Sequence, residues 1–240
     1  MPQEHIVKIY DDELANLDRL IAEMGGEVEN LLSDAVQSLV QYDAILSAEV
    51  IVRDKRIDAL EMEIVAQATR LLALRQPMAA DLRTIVASLR LVNDLERMGD
   101  YAKNISKRVK TLVKTPLLSA QHASVKRMCK LVGEMIRQVL DAYLQRDIKQ
   151  AVSVIEQDEG VDLLYTSMFR ETLTYMMEDP RNISACTHFL FIAKNIERIG
   201  DHATNIAEQV YYIVEGKQFE EGHINHDLSA DVIRDTGEEA

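Results

Sequence analysis

Among the carboxylates of this chain that stand four residues apart, four pairs fall within matching helical segments: Asp54 and Asp58, Glu96 and Asp100, Asp158 and Asp162, Glu197 and Asp201. Residues at i and i+4 lie one above the other on a helix, where like charges repel by about 0.2–0.5 kcal/mol per pair. A cation held between two such helices turns that cost into a gain. Oxygen ligands of this kind suit magnesium, manganese, calcium or oxidised iron, and zinc is compatible with them. DxxxD alone arises by chance in acidic helices, so the weight lies on its recurrence at matching places.

That recurrence reflects a duplication. The windows LVNDLERMGDYAKNI (91–105) and IAKNIERIGDHATNI (192–206) align without a gap and share seven of fifteen residues. At about 100° per residue, Leu91, Leu95, Met98, Ala102, Ile105 and Val109 form one apolar stripe. Ile192, Ile196, Ile199, Ala203, Ile206 and Val210 form it again. Glu96, Asp100 and Asn104 fall roughly opposite the stripe, which predicts carboxylates turned away from the core. A solvated face is free to drift after duplication, yet the copies agree at ERxGD, so something beyond the core requires those groups. Gly99 and Gly200 are kept although a helical glycine costs about 1 kcal/mol relative to alanine. Either a tight helix crossing or a ligand contact accounts for them. Arg97 and Arg198 could orient a carboxylate, hold an anion bidentately, or form ordinary surface ion pairs.

The elements that must position these groups are helices. Leu14, Leu17, Ile21, Met24, Val28, Leu31, Ala35, Tyr42 and Ile45 predict a long first helix after a polar lead-in, with Gly25 and Gly26 marking a bend or a close crossing. A second helix, from about Ser47, carries Val50, Ile57, Leu60, Ile64, Ala68 and Leu71 inward. Pro77 ends it and fits the first turn of a third, predicted from Met78 to Val113. Lys114 to Ser119, with Pro116, breaks the period. A fourth helix through Val125 and Tyr143, a fifth through Val154 and Met176, a turn at Pro180 and a sixth ending near Gly216 repeat the scheme. The fold class is therefore all-α, two tandem three-helix bundles over residues 1–115 and 116–216. Residues 217–240, with seven acidic and two basic residues and no apolar period, read as a flexible acidic tail.

Composition narrows the function. The net charge of −13 argues against non-specific nucleic-acid binding, which needs a cationic surface. Cations or a basic partner suit it better. Cys129 and Cys186, the only cysteines, sit in apolar helical contexts, which indicates buried thiols and a reducing compartment. The N-terminal MPQEHIVKIYDDE lacks a signal pattern, and no apolar run approaches the roughly 18 residues of a span. A soluble, cytoplasmic protein without membrane insertion is expected. A di-iron centre of the ferritin type needs two helical ExxH motifs, and the single match, Glu220 to His223, lies in the tail. No phosphate-binding glycine loop or G-x-S-x-G elbow occurs, and no nucleophile or base stands beside the carboxylates. No catalytic residues are assigned.

LVNDLERMGD, KNIERIGD, the RQPMAADLR turn and MMEDPR together resemble the PhoU family, phosphate-transport accessory and regulatory proteins of bacteria. The resemblance covers everything up to the acidic tail. It implies two three-helix bundles, a homodimer, and a non-enzymatic adaptor that represses the phosphate-starvation regulon. Its implied partners are the ATPase subunit of the phosphate ABC transporter and the sensor histidine kinase. It also implies iron or zinc at Asp54, Asp58, Glu96, Asp100, Asp158, Asp162, Glu197 and Asp201, beside the manganese or magnesium that the oxygen ligands alone allow. Asn195 stands where the first copy has Asp94, and His202 where it has Tyr101, so the two sites are expected to differ. A carboxylate-bridged metalloenzyme and a purely structural helical dimer are the alternatives.

Overall fold

The computed structural model describes residues 2–112 and 121–219. Six α-helices follow one another: α1 (Pro2–Gln41), α2 (Ala44–Arg75), α3 (Ala79–Leu112), α4 (Gln121–Gln145), α5 (Ile148–Glu178) and α6 (Ile183–Glu215). Helices α1 to α3 form one bundle and α4 to α6 the other, as the repeat predicts. The boundary expected at 114–119 and the tail from Glu220 onward lie outside the described residues.

Each bundle opens on the same hairpin. Tyr42 and Arg146 take left-handed φ of 57° and 55°, and the next residue, Asp43 or Asp147, caps the following helix. Asp43 accepts from the N–H groups of Ile45 and Leu46, and Asp147 from those of Lys149 and Gln150, satisfying donors a helix start leaves open. This corrects the expected extent of the first helix. It stops at Gln41, and Ile45 is the exposed start of α2 (74% exposed). An apolar period reads straight through a two-residue turn, whereas the Asp cap marks it. The lead-in from Pro2 is helical as well.

The second turns also differ from expectation. Helix α2 ends at Arg75, Gln76 and Ala79 have φ of 48°, and Pro77 lies in the connection rather than in the first turn of α3. Pro180 begins a one-turn 3₁₀ helix (Pro180–Asn182) capped by Asp179, whose side chain accepts from the Arg181 N–H.

The predicted stripes are all fully buried, and one apolar core passes through both bundles without a break. Helices α3 and α6 pack along each other, and α1 packs on α4. Gly25 resolves as a close crossing: the Leu140 side chain of α4 occupies the place its Cβ would take, and α1 runs on without interruption. Polar ties cross the same seam. Tyr143 donates from its hydroxyl to Asp18 at 2.5 Å, Arg146 pairs with Asp18 at 3.2 Å, and the Tyr42 hydroxyl meets His122 Nε2 at 2.7 Å. No described helix is long and apolar enough to cross a membrane.

Candidate functional site

The repeated signatures sit on α3 and α6, each facing the DxxxD of the helix before it. Residues opposite an apolar stripe were expected in solvent, but α3 is enclosed by α1, α2 and α6. The far side of its wheel is thus a seam between helices. Asp54 and Glu197 are both only 4% exposed, while Glu96, Asp100, Asp158, Asp162 and Asp201 are half-buried and Asp58 is exposed. The expectation that these groups all turn away from the core is corrected accordingly.

In the first bundle a lysine draws the two helices together. Lys103, one turn beyond Asp100 on α3, donates to Asp54 Oδ2 at 2.5 Å and to Asp100 Oδ1 at 2.7 Å. Burial pushes the Asp54 carboxyl above its usual range, and the Lys103 hydrogen bond works against that push. Burial also disfavours the ammonium, but hydrogen bonds to Asp100 and Asp54 hold it well above the ordinary lysine value. Glu96 is raised by burial and then by nearby Asp100, with weaker contributions from Glu61 and Asp58. Arg97 reaches Glu96 at 3.6 Å and is otherwise exposed, an ordinary surface ion pair.

The second bundle solves the same problem differently. Thr204 stands at the Lys103 position and donates to the Gly200 carbonyl at 3.0 Å. The ammonium comes instead from Lys194, one turn before Glu197, which donates to its Oε1 at 2.5 Å and lies 5.1 Å from the Tyr165 ring of α5. Glu197 Oε2 is buried without a hydrogen-bond partner. Burial pushes this carboxyl up to about 7; Lys194 opposes that, and the charges of Asp201 and Asp162 reinforce it. Glu197 therefore exchanges its proton near neutral pH.

Both glycines serve these seams. A Cβ on Gly99 would stand 2.7 Å from Ile57 Cδ1 and 3.6 Å from Asp54 Oδ1, and one on Gly200 would stand 3.4 Å from Asp158 Oδ1. At Gly99 the missing side chain lets α2 cross close enough to bring its aspartate in, whereas at Gly200 a Cβ would meet only ordinary contacts. Of the two readings left open for the glycines, the structure shows the tight crossing at Gly99.

As they stand, Asp54, Asp100 and Glu197 each hold a lysine ammonium. The place between Asp54 and Asp100 is held by Lys103, and among the described residues no three His, Cys, Asp or Glu are grouped to hold a metal. Lys103 and Lys194 were missed by the sequence reading, although each lies i, i+3 from a signature acid, a readable spacing.

The point where α3 and α6 meet carries a further pair. Tyr101 and His202, counterparts in the repeat, face each other with ring centroids 5.6 Å apart. Equivalent residues meet only near an axis relating the two halves, so the bundles are arranged about an approximate twofold through this contact. On one side of it, His202 Nδ1 hydrogen-bonds Asp94 at 2.8 Å. On the other, the Arg198 guanidinium lies 5.6 Å from the Tyr101 ring centroid.

Comparison with known proteins agrees with this architecture. The PhoU domain family matches twice, over residues 21–109 and 125–210. The chain is 49% identical to the phosphate-specific transport system accessory protein PhoU homolog of Caulobacter vibrioides over 215 residues, 90% of this chain and 94% of that protein. It is 48% identical to the homolog of Rhizobium meliloti, over 91% of this chain and 92% of that one. The crystal structure of PhoU from Pseudomonas aeruginosa superimposes with a TM-score of 0.82 at 38% identity, over 87% of this chain and 100% of that chain. The phosphate transport system regulatory protein PhoU of Streptococcus pneumoniae gives 0.82 at 29% identity, over 88% and 100%. These relatives are named as accessory or regulatory proteins, not as enzymes.

Proposed function

The chain belongs to the PhoU family, and from that premise we propose that it is an accessory protein of phosphate transport acting as a non-catalytic adaptor. In phosphate-rich conditions it links the ATPase subunit of the phosphate ABC transporter to the sensor histidine kinase and holds the phosphate-starvation regulon repressed. The observation that carries the reading is the family match in both halves, with named relatives covering nine-tenths of the chain. The fold supports it physically. Six helices of 25 to 40 residues sharing one core make a stiff body, and its net charge of −13 favours partners with basic surfaces.

Deleting the gene should switch on phosphate-starvation genes in phosphate-rich medium, and normal repression in that strain overturns the reading. A pull-down from phosphate-replete cells should recover both the ATPase subunit and the kinase. The same proposal places the protein in the cytoplasm as a homodimer, which fractionation and sedimentation of the purified protein test.

Iron, zinc, manganese or magnesium on the eight carboxylates is a conditional part of the proposal, because a cation enters only where Lys103 or Lys194 first swings out. Elemental analysis of the purified protein decides it. Metal at or above one equivalent supports occupancy, and its absence removes metal from the adaptor's working parts.

A further inference from the structure

Helix α2 is apolar on two sides. Val50, Ile57, Leu60, Ile64 and Leu71 are buried against α1 and α3, and a second apolar row lies in solvent. Ile45, Val52, Ala59, Ala66 and Ala73 recur at seven-residue spacing with Met62 set between them, and all six are exposed. Val52 is 63% and Met62 67% exposed. Single apolar side chains on a surface need no explanation, but a row of them about 42 Å long does. Seven-residue spacing with an interleaved position three residues on is the seam by which one helix pairs with another.

The charges beside the row say which helix that is. Arg56, Glu63 and Arg70 are exposed along one edge of it, and Glu49 begins the same edge. When α2 is laid antiparallel on a second α2 with Ala59 against the partner's Met62, Arg56 meets the partner's Glu63 and Glu49 meets the partner's Arg70. The twofold makes each pair occur twice. A shift of one heptad in either direction sets arginine against arginine and glutamate against glutamate, and a parallel pair stacks Lys55 on the partner's Lys55. Arg56 also donates to Glu23 of α1 through one nitrogen, and its half-exposed guanidinium keeps further donors for a second carboxylate. In the same register Lys55 faces the partner's Ala66, whose small side chain leaves room for the lysine stem to pass outward to water.

The duplicate helix supplies the internal control. With Asp158 and Asp162 as the counterparts of Asp54 and Asp58, Glu156 stands for Val52, Glu159 for Lys55 and Arg170 for Ala66 on α5, all exposed. Charge interrupts that face, although Leu163 keeps an apolar side chain at the place of Ala59. With one such helix in each chain, the assembly closes at two copies and does not grow into a filament.

We propose that a second copy of this chain docks on the exposed face of α2, the two helices running antiparallel about a twofold beside Ala59 and Met62. This inference rests on the homodimer reading and deepens it by naming the face that forms the dimer.

The test is analytical ultracentrifugation of the full chain. Wild type should sediment as a dimer at about 10 μM. Met62→Glu, which sets two glutamates beside the axis, should weaken dimerisation about tenfold or more with an unchanged helical circular dichroism spectrum. Leu163→Glu on α5 should leave it unchanged. Glu49→Arg and Arg70→Glu should each weaken it about fivefold, and both changes in one chain should restore it, a rescue that a role confined to one subunit does not produce. A monomer up to about 100 μM overturns the homodimer and this face together. A dimer that Met62→Glu leaves intact, or that Leu163→Glu weakens as much, overturns the face alone, as does a failure of the paired charge exchange to restore binding. A monomeric wild type whose capture of the transporter ATPase or the kinase is lost in Met62→Glu assigns the face to another protein and overturns self-pairing.

Discussion

Set side by side, the two bundles keep the same acids and neutralise them with lysines from opposite ends of the signature. In the first, Lys103 lies beyond ERMGD and joins Asp54 of α2 to Asp100 of α3. In the second, Lys194 lies before ERIGD and holds Glu197, whose other oxygen stays unpartnered and whose proton leaves only near neutral pH. Duplication preserved the need for a counterion in the seam but not its source. Displacing the lysine also changed what lies around it: Lys194, while bonded to Glu197, also borders the groove between α3 and α6, whereas Lys103 joins the two acids of its own seam.

Removing the counterion should separate the halves most sharply. Lys103→Ala leaves Asp54 buried beside Asp100, and denaturant unfolding should show a loss of about 3 kcal/mol. Lys194→Ala should cost about 1 kcal/mol, because Glu197 takes up a proton when its ammonium goes. Equal losses would mean that both seams depend on fixed charge pairs.

The glycines give the next contrast. Gly99→Ala drives a methyl to within 2.7 Å of the buried Ile57 and should destabilise by about 1 kcal/mol, net of the helix propensity gained. Gly200→Ala meets only ordinary contacts at 3.4 Å and beyond, so it should be neutral or stabilising by up to about 1 kcal/mol in a thermal melt.

Smallest, and confined to one pH range, is the effect of Glu197→Gln. The folded pKa of Glu197 lies above its unfolded value, so wild-type stability falls as pH rises from the ordinary glutamate range through about 7. The amide removes that fall. Melting temperature should rise at about pH 8 and stay unchanged at about pH 4. The corresponding Glu96→Gln, at a half-buried site, should show a weaker trend of the same sign.

Much of this was legible in the chain and some was not, for identifiable reasons. The apolar stripes through Leu91 and Ile192 were readable because burial imposes the helical period directly on sequence. The end of α1 was misplaced because Tyr42 and Ile45 continue the period by chance across a two-residue turn; Asp43, a plain N-cap, carried the correct signal. The exposure of Glu197 and Asp54 was misjudged because a helical wheel knows one helix and its stripe, whereas α2, α3, α5 and α6 each have neighbours on more than one side.

The sequence alone determined the helices, the duplication, the paired acids and the two glycines, since each is a matter of spacing along one helix or of likeness between two windows. Tertiary structure decided which lysine answers each acid, what the glycines make room for, and that Tyr101 meets His202 on an approximate axis. It also decided that Asp94 meets His202 on one flank of that axis, while Lys107, Arg108 and Arg198 border a groove on the other. Those outcomes depend on how separate helices are set against one another, and the distances across a seam are not written in the period of either helix.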